Sequence, residues 1–189
     1  MSLLELIAAA DARGLAASAA ACLDRCLPQP AAGADPDPLR PLWPGCADPE
    51  DWPDRLAEAR AALDALPDPP EGLLRVRTLL GEAPADRSGE GLRTWADACS
   101  VLALDTHRRH DAERADAAEL VARCRAGDPA GAGPLLSGEA ARQVRILEML
   151  AETGDGAPTG AGLRQVRDVS TEGQRVLRAA VSRRARVRG

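Results

Sequence analysis

The longest stretch of the chain without proline or internal glycine runs from Gly91 to Arg125. As a single α-helix it would span ~50 Å. The apolar residues that would share one face of this helix are Leu92, Trp95, Cys99, Leu102, Ala103, Ala117, Leu120, Val121 and Cys124. The stretch therefore predicts one long helix around which the rest of the chain is organised.

The middle of that helix is polar. The ionisable residues in this middle part, which follow Thr106, are His107, His110, Asp111, Glu113 and Arg114. A buried helix face does not normally carry such groups, because each must be paired or solvated. Three interpretations stay open: the helices part at this level, the polar groups find partners inside the protein, or the helix breaks near Asp105.

Leucine and alanine dominate the apolar residues, whereas β-branched residues are few and scattered among arginines. This composition favours helices over sheets. Apolar periodicity, caps and proline stops indicate helices at Ser2–Cys26, Asp51–Leu66, Glu71–Glu82, Gly91–Arg125, Ser137–Thr153 and Leu163–Arg186. Ser2 and Glu5 have the spacing of a capping box, and Gly173 is a possible break in the last helix. We therefore predict an all-α fold in which residues 1–189 form a single-domain helical bundle of about six helices.

The segment from Pro28 to Pro53 contains eight prolines. At that density we expect no regular element, so residues 28–53 are predicted to form an extended connection. Trp43 and Trp52 would anchor it along the bundle. The rival interpretation is that a proline-binding domain of another protein recognises this segment as a peptide ligand, although the proline spacing matches no such motif well.

Charge divides the chain into an acidic body and a basic C-terminal segment, residues 163–189. Arg164 to Arg188 includes eight arginines against Asp168 and Glu172, while the chain as a whole has a net charge of −5. We expect this basic tail to fold back on the acidic body, and contact with an acidic protein or a nucleic acid is the alternative. Nucleic acid is the less favoured partner, because the tail lacks aromatic stacking residues.

The cation set is entirely arginine, because the chain contains no lysine; asparagine, phenylalanine and tyrosine are also absent. These absences indicate a GC-rich bacterial source rather than selection for phosphate binding. The five cysteines are an odd number, no signal peptide precedes them, and no run of ~18 apolar residues exists. The chain is therefore predicted to be cytoplasmic, with reduced thiols and no membrane contact.

Two pairs of residues suggest a metal site. Cys22 and Cys26 lie one helical turn apart, as do His107 and His110 on the long helix. Thiolate and imidazole together suit Zn²⁺, so these four residues could form a closed structural zinc site. The favoured interpretation is that the cysteines are small buried hydrophobic residues and the histidines belong to a solvated polar segment, in which case no cofactor is bound.

The adjacent pair His110–Asp111 resembles the motif of the HD-type metal phosphohydrolases, which are also all-α. Members of that family need a further histidine on a different helix. The one other histidine of this chain, His107, lies on the same turn as His110. The resemblance therefore covers two residues, and it does not extend to the activity.

Two function classes remain. The favoured one is a non-catalytic helical interaction protein of regulatory, adaptor or immunity type, because the chain has no strong metal cluster, cofactor loop or catalytic triad motif. The alternative is a small metal-dependent or biosynthetic enzyme, acting alone or beside a partner enzyme. Its site would consist of His107, His110, Asp111, Glu113 and Arg114.

Overall fold

A computed structural model of the chain describes residues 1–28, 37–66, 71–111, 117–153 and 162–188. Within these ranges the protein has nine α-helices and no strand. The helices are α1 (Leu3–Ala9), α2 (Ala12–Cys26), α3 (Leu42–Ala47), α4 (Trp52–Asp64), α5 (Glu71–Gly81), α6 (Gly89–Arg108), α7 (Ala117–Arg125), α8 (Pro134–Glu152) and α9 (Leu163–Arg188). The all-α prediction is confirmed, and the predicted count of about six helices is too low.

The first predicted helix is two helices. The capping box at the start of α1 is confirmed: Ser2 N donates to Glu5 Oε2 at 2.7 Å, and Glu5 N donates to Ser2 Oγ at 3.3 Å. α1 ends before Ala10, whose backbone is extended, and Asp11 then caps α2 by accepting from Gly14 N at 2.6 Å. A second cap so close to the first divides the predicted helix, because the N-cap residue itself must adopt non-helical dihedral angles.

The prediction of one helix from Gly91 to Arg125 is wrong. α6 ends at Arg108 and α7 begins at Ala117, so the interpretation with a break near Asp105 comes closest. The last turn of α6 tightens, with His110 N donating to His107 O at 3.0 Å and Asp111 N donating to Arg108 O at 2.9 Å. Such i to i+3 bonds are typical of a helix end. Residues 112–116, which include Glu113 and Arg114, lie outside the described ranges.

The proline-rich segment contains a helix where none was expected. α3 occupies Leu42–Ala47, with Pro44 near its start, where a missing N–H costs no hydrogen bond. The predicted anchoring by tryptophan is confirmed, since Trp43 and Trp52 are both buried. Trp52 Nε1 donates to Pro84 O at 2.9 Å, and its ring meets that of Trp95 edge to face at 5.8 Å. Residues 29–36 of this segment lie outside the described part of the chain.

Two other predicted boundaries differ. α8 begins at Pro134 after Gly133, rather than after Ser137. α9 continues through Gly173 without a break. Gly173 is buried, and a Cβ there would lie 2.5 Å from Arg25 Cδ and 2.9 Å from Arg142 Cδ. The glycine therefore lets α9 pack closely over two arginine stems, although it makes the helix itself less favourable.

The core is centred on α2 rather than on α6. α2 packs most extensively on α6 and α9, with further contacts to α3, α5 and α8. Alanines from Ala16 to Ala21 are fully buried, and their small side chains let neighbouring helices approach on several sides. None of the described helices combines the length and apolar content needed to cross a bilayer.

Candidate functional site

A cluster of polar side chains is buried where α2, α6 and α8 meet. We call it the Glu139 cluster, and its members are Cys22, Arg25, Ser100, His107, Glu139 and Gln143, each no more than 3% exposed. Fully buried charges are rare unless they are paired. The way these groups satisfy one another therefore decides what the cluster can do.

The Glu139 carboxylate is the common acceptor of the cluster. Arg25 donates from Nε to both carboxylate oxygens at 3.0 Å and from Nη2 to Oε1 at 2.7 Å. Arg142 Nη1 donates to Oε2 and Gln143 Nε2 to Oε1, both at 2.9 Å. Burial alone would raise the pKa of Glu139, but the charge of Arg25 and then that of His107 hold it at about 2. Glu139 is therefore ionised throughout the physiological pH range.

Gln143 extends the cluster to α6. Ser100 Oγ donates to Gln143 Oε1 at 2.6 Å, and Gln143 Nε2 also lies 3.3 Å from Ser100 O. A small cavity of about 10 Å³ beside Ser100 and Arg25 is large enough for one water molecule and too small for a substrate. The cluster thus joins three helices through polar contacts.

His107 faces Glu139 from the last turn of α6. Its Nδ1 lies 2.8 Å from Ala103 O, and because a carbonyl oxygen only accepts, Nδ1 carries a proton. Its Nε2 lies 3.5 Å from Glu139 Oε2 without a hydrogen bond. Burial lowers the pKa of His107 although Glu139 opposes the shift, which favours the neutral imidazole at neutral pH.

Asp111 caps α8 from outside the helix. Its two carboxylate oxygens accept from Leu135 N and Leu136 N, each at 2.9 Å. A Cβ at Gly133 would lie 2.3 Å from Asp111 Cγ, so the glycine leaves the space that the carboxylate occupies. Asp111 therefore satisfies N–H groups that α8 itself cannot pair, and its charge complements the helix dipole.

The predicted site residues that the structure describes have different surroundings. His110 is half-buried, and burial, followed by the charge of Arg184, lowers its pKa. His107 belongs to the Glu139 cluster and Asp111 to the start of α8. The five residues of the predicted enzyme site are therefore not shown to form one constellation, and Glu113 and Arg114 lie in the undescribed range 112–116.

All five cysteines are free and buried. Cys22 Sγ lies 3.5 Å from Arg25 Nη2, and burial raises its pKa to about 12 despite that charge. Burial also raises the pKa of Cys26, although Thr106 opposes the shift. No group of three or more His, Cys, Asp or Glu side chains that could hold a metal ion is present in the described ranges. The zinc site at Cys22, Cys26, His107 and His110 gains no support here and stays a prediction.

Sequence reasoning missed Arg25 and Glu139, the most buried charged residues of the cluster. A signal was present for both. Ser18, Cys22 and Arg25 recur at helical spacing along a helix rich in alanine, and Glu139 and Gln143 lie one turn apart on the next-to-last helix. What the pattern lacked was any indication that these two polar stripes face each other.

A second feature is a charged stripe on the outer side of α9. We call it the α9 outer stripe, and its residues are Asp168, Glu172, Arg175, Val176, Ala179, Ser182, Arg183 and Arg186, all exposed. On a helical wheel these eight residues cover one face, opposite the buried Leu163, Val166, Ser170, Gly173 and Leu177. α9 therefore buries one face against the body and exposes the opposite face, whose acidic residues Asp168 and Glu172 line an open groove with Arg145 of α8.

The charges of the α9 outer stripe form no ion pair in the described part of the protein. The ion pair that α9 forms there joins Arg167 to Asp37, and neither belongs to the stripe. The expectation that the basic tail folds back on the acidic body therefore holds for Arg167. Among the described residues, the stripe arginines Arg175, Arg183 and Arg186 show no such contact.

Comparisons with protein-family models, with curated proteins and with solved structures find no match for this chain.

Proposed function

We propose that the chain is a non-catalytic helical interaction protein, of regulatory, adaptor or immunity type, that binds another protein chain through the α9 outer stripe. The observation that carries the proposal is a set of six exposed charges on one helix face, Arg164 and the five charges of the stripe, without a described ion-pair partner. Charged groups of this kind steer association and select the partner, because unpaired surface charges are free to meet opposite charges on another surface.

The Glu139 cluster also supports this proposal. Its ionic groups are inaccessible and pair with one another, so they stabilise contacts between α2, α6 and α8 rather than bind a substrate. Five unpaired thiols suit a reducing compartment, which agrees with a cytoplasmic location in a GC-rich bacterium. The enzyme alternative stays a prediction without a supporting contact.

Site-specific photo-crosslinking tests the proposal. A photoreactive residue replaces Ala179 at the centre of the stripe, or Ala57, an exposed alanine on α4, as the matched control. In extract of the source cells, we expect discrete adducts from position 179 that ~1 M salt suppresses, because the Debye length then falls to about 3 Å. Equal adduct patterns from both positions would contradict the proposal.

A further inference from the structure

The charges of the α9 outer stripe are ordered along the helix. Within the stripe, Asp168 and Glu172 lie at the N-terminal end and Arg183 and Arg186 lie at the C-terminal end; the exposed Arg164 lies on the same face, one turn before Asp168. The small residue Ala179 lies between them. A surface whose two ends carry opposite charges is complementary to a copy of itself turned end over end.

We propose that the partner of the α9 outer stripe is the α9 outer stripe of a second copy of this chain, in an antiparallel arrangement whose two-fold axis crosses the stripe between Arg175 and Ala179. Asp168 then lies opposite Arg186 of the second copy, and Glu172 lies beside its Arg183. The two-fold axis repeats both contacts, so each interface contains four ion pairs. Such a self-complementary, isologous contact is the commonest way in which soluble chains dimerise.

The spacing of the stripe suits packing between helices. Asp168, Glu172, Arg175, Ala179, Ser182 and Arg186 recur at alternating steps of four and three residues. This is the spacing of residues along the seam between two helices that cross at a small angle, although the residues here are mostly charged rather than apolar. Ala179 faces Arg175 of the second copy near the axis, and together with Ser182 it allows the two backbones to approach closely. The stripe runs for ~27 Å, long enough for both ends to make contact.

Two other ways of binding the α9 outer stripe fit its charges less well. In a parallel pair, Asp168 and Glu172 would meet their own counterparts, and the arginines would do the same, so every contact would be repulsive. A nucleic acid would be attracted to the arginines and repelled by the two acidic residues of the same stripe. The stripe also offers no aromatic side chain on which a base could stack.

The inference rests on the proposed function, in which the α9 outer stripe is the docking element, and sedimentation velocity of the full-length chain tests it. We expect a concentration-dependent dimer at ~0.01 M salt that dissociates at ~1 M salt. Glu172→Arg and Arg183→Glu should each raise the dimer Kd by roughly tenfold or more, because each exchanges two attractive contacts for two repulsive ones. An equimolar mixture of the two variants should form heterodimers as stable as the wild-type dimer.

Two further variants separate this arrangement from general attraction between a basic tail and an acidic surface. Glu148→Arg reverses an exposed charge in the middle of α8 and should leave the dimer Kd unchanged. Arg175→Ala should leave the dimer Kd unchanged or lower it. In the antiparallel pair the two Arg175 residues lie within ~6 Å of each other along the helix axis, so their charges repel. An acidic partner would instead bind more weakly once an arginine is lost.

The outcomes distinguish the two proposals. A wild-type chain that stays monomeric at low salt, or a mixture of Glu172→Arg and Arg183→Glu that fails to pair, overturns the dimer. If position 179 then still crosslinks to a different protein, the proposed function stands without it. If position 179 crosslinks to nothing in extract, the docking role of α9 fails as well.

Discussion

Replacing Glu139 with glutamine should destabilise the protein strongly without changing the shape of its core. Glutamine is nearly isosteric with glutamate, so no cavity forms, but the charge that neutralises Arg25 is lost. Arg25 is 0% exposed and cannot reach water. Removing one partner of a buried ion pair costs about 3–5 kcal/mol, because the remaining charge is left buried and uncompensated. For a domain of this size that lowers Tm by roughly 6–20 °C.

Thermal and urea unfolding monitored by circular dichroism would measure the effect. Glu148→Gln is the matched control on the same helix, since Glu148 is exposed, and it should change stability by less than ~0.5 kcal/mol. The double variant Arg25→Met/Glu139→Leu should recover most of the loss, because an apolar pair of similar volume avoids the desolvation of both charges. A cost below ~1 kcal/mol for Glu139→Gln would refute the reasoning.

The same pair predicts a pH dependence. The pKa of Glu139 is about 2 in the folded protein, against an ordinary value of 4.5. A carboxyl whose pKa is lower in the folded state stabilises the fold above its unfolded pKa, and this contribution disappears as the pH falls toward the folded pKa. The stability difference between wild type and Glu139→Gln should therefore shrink between pH 4.5 and pH 2. A difference that is constant across this range would contradict the assignment.

Two further predictions concern single carboxylates. Burial, and then the charge of Asp37, raise the pKa of Asp24 from 3.8 to about 7, so its ionised form destabilises the fold increasingly as the pH rises between these values. Asp24→Asn should therefore raise Tm at pH 8 and leave it unchanged near pH 3.8, and a loss of stability at pH 8 would contradict this. Asp111→Ala should cost about 1–2 kcal/mol in urea unfolding, because two N–H groups at the start of α8 lose their acceptor; an unchanged midpoint would show that water replaces the cap.

The features that sequence reasoning predicted correctly depend on neighbours along the chain. The capping box of Ser2 and Glu5 needs only a separation of three residues. The choice of helix over strand follows from leucine and alanine content, which acts through local propensity. The burial of Trp52 follows from the size of its apolar side chain in a chain that has no phenylalanine or tyrosine.

The errors arose where distant residues compete with local propensity. Nothing in the run from Gly91 to Arg125 stops a helix by itself. The structure ends α6 at Arg108, and Asp111 beyond it binds the first turn of α8, 24 residues further on. Arg25 and Glu139 are 114 residues apart, so no local pattern could have paired them. Their pairing depends on how α2 packs against α8, which is a tertiary contact.

α9 shows most clearly which features the sequence determines and which depend on the tertiary structure. The sequence by itself determined that this helix has one apolar face and an opposite face whose charges change sign along its length, because helical periodicity places those residues. Only the tertiary structure decided that the apolar face packs on α2 and α8, and that the charged face has no ion-pair partner in the described part of the body. The physical reason is that periodicity orders side chains around one helix axis, whereas burial depends on which other helices occupy the space beside it.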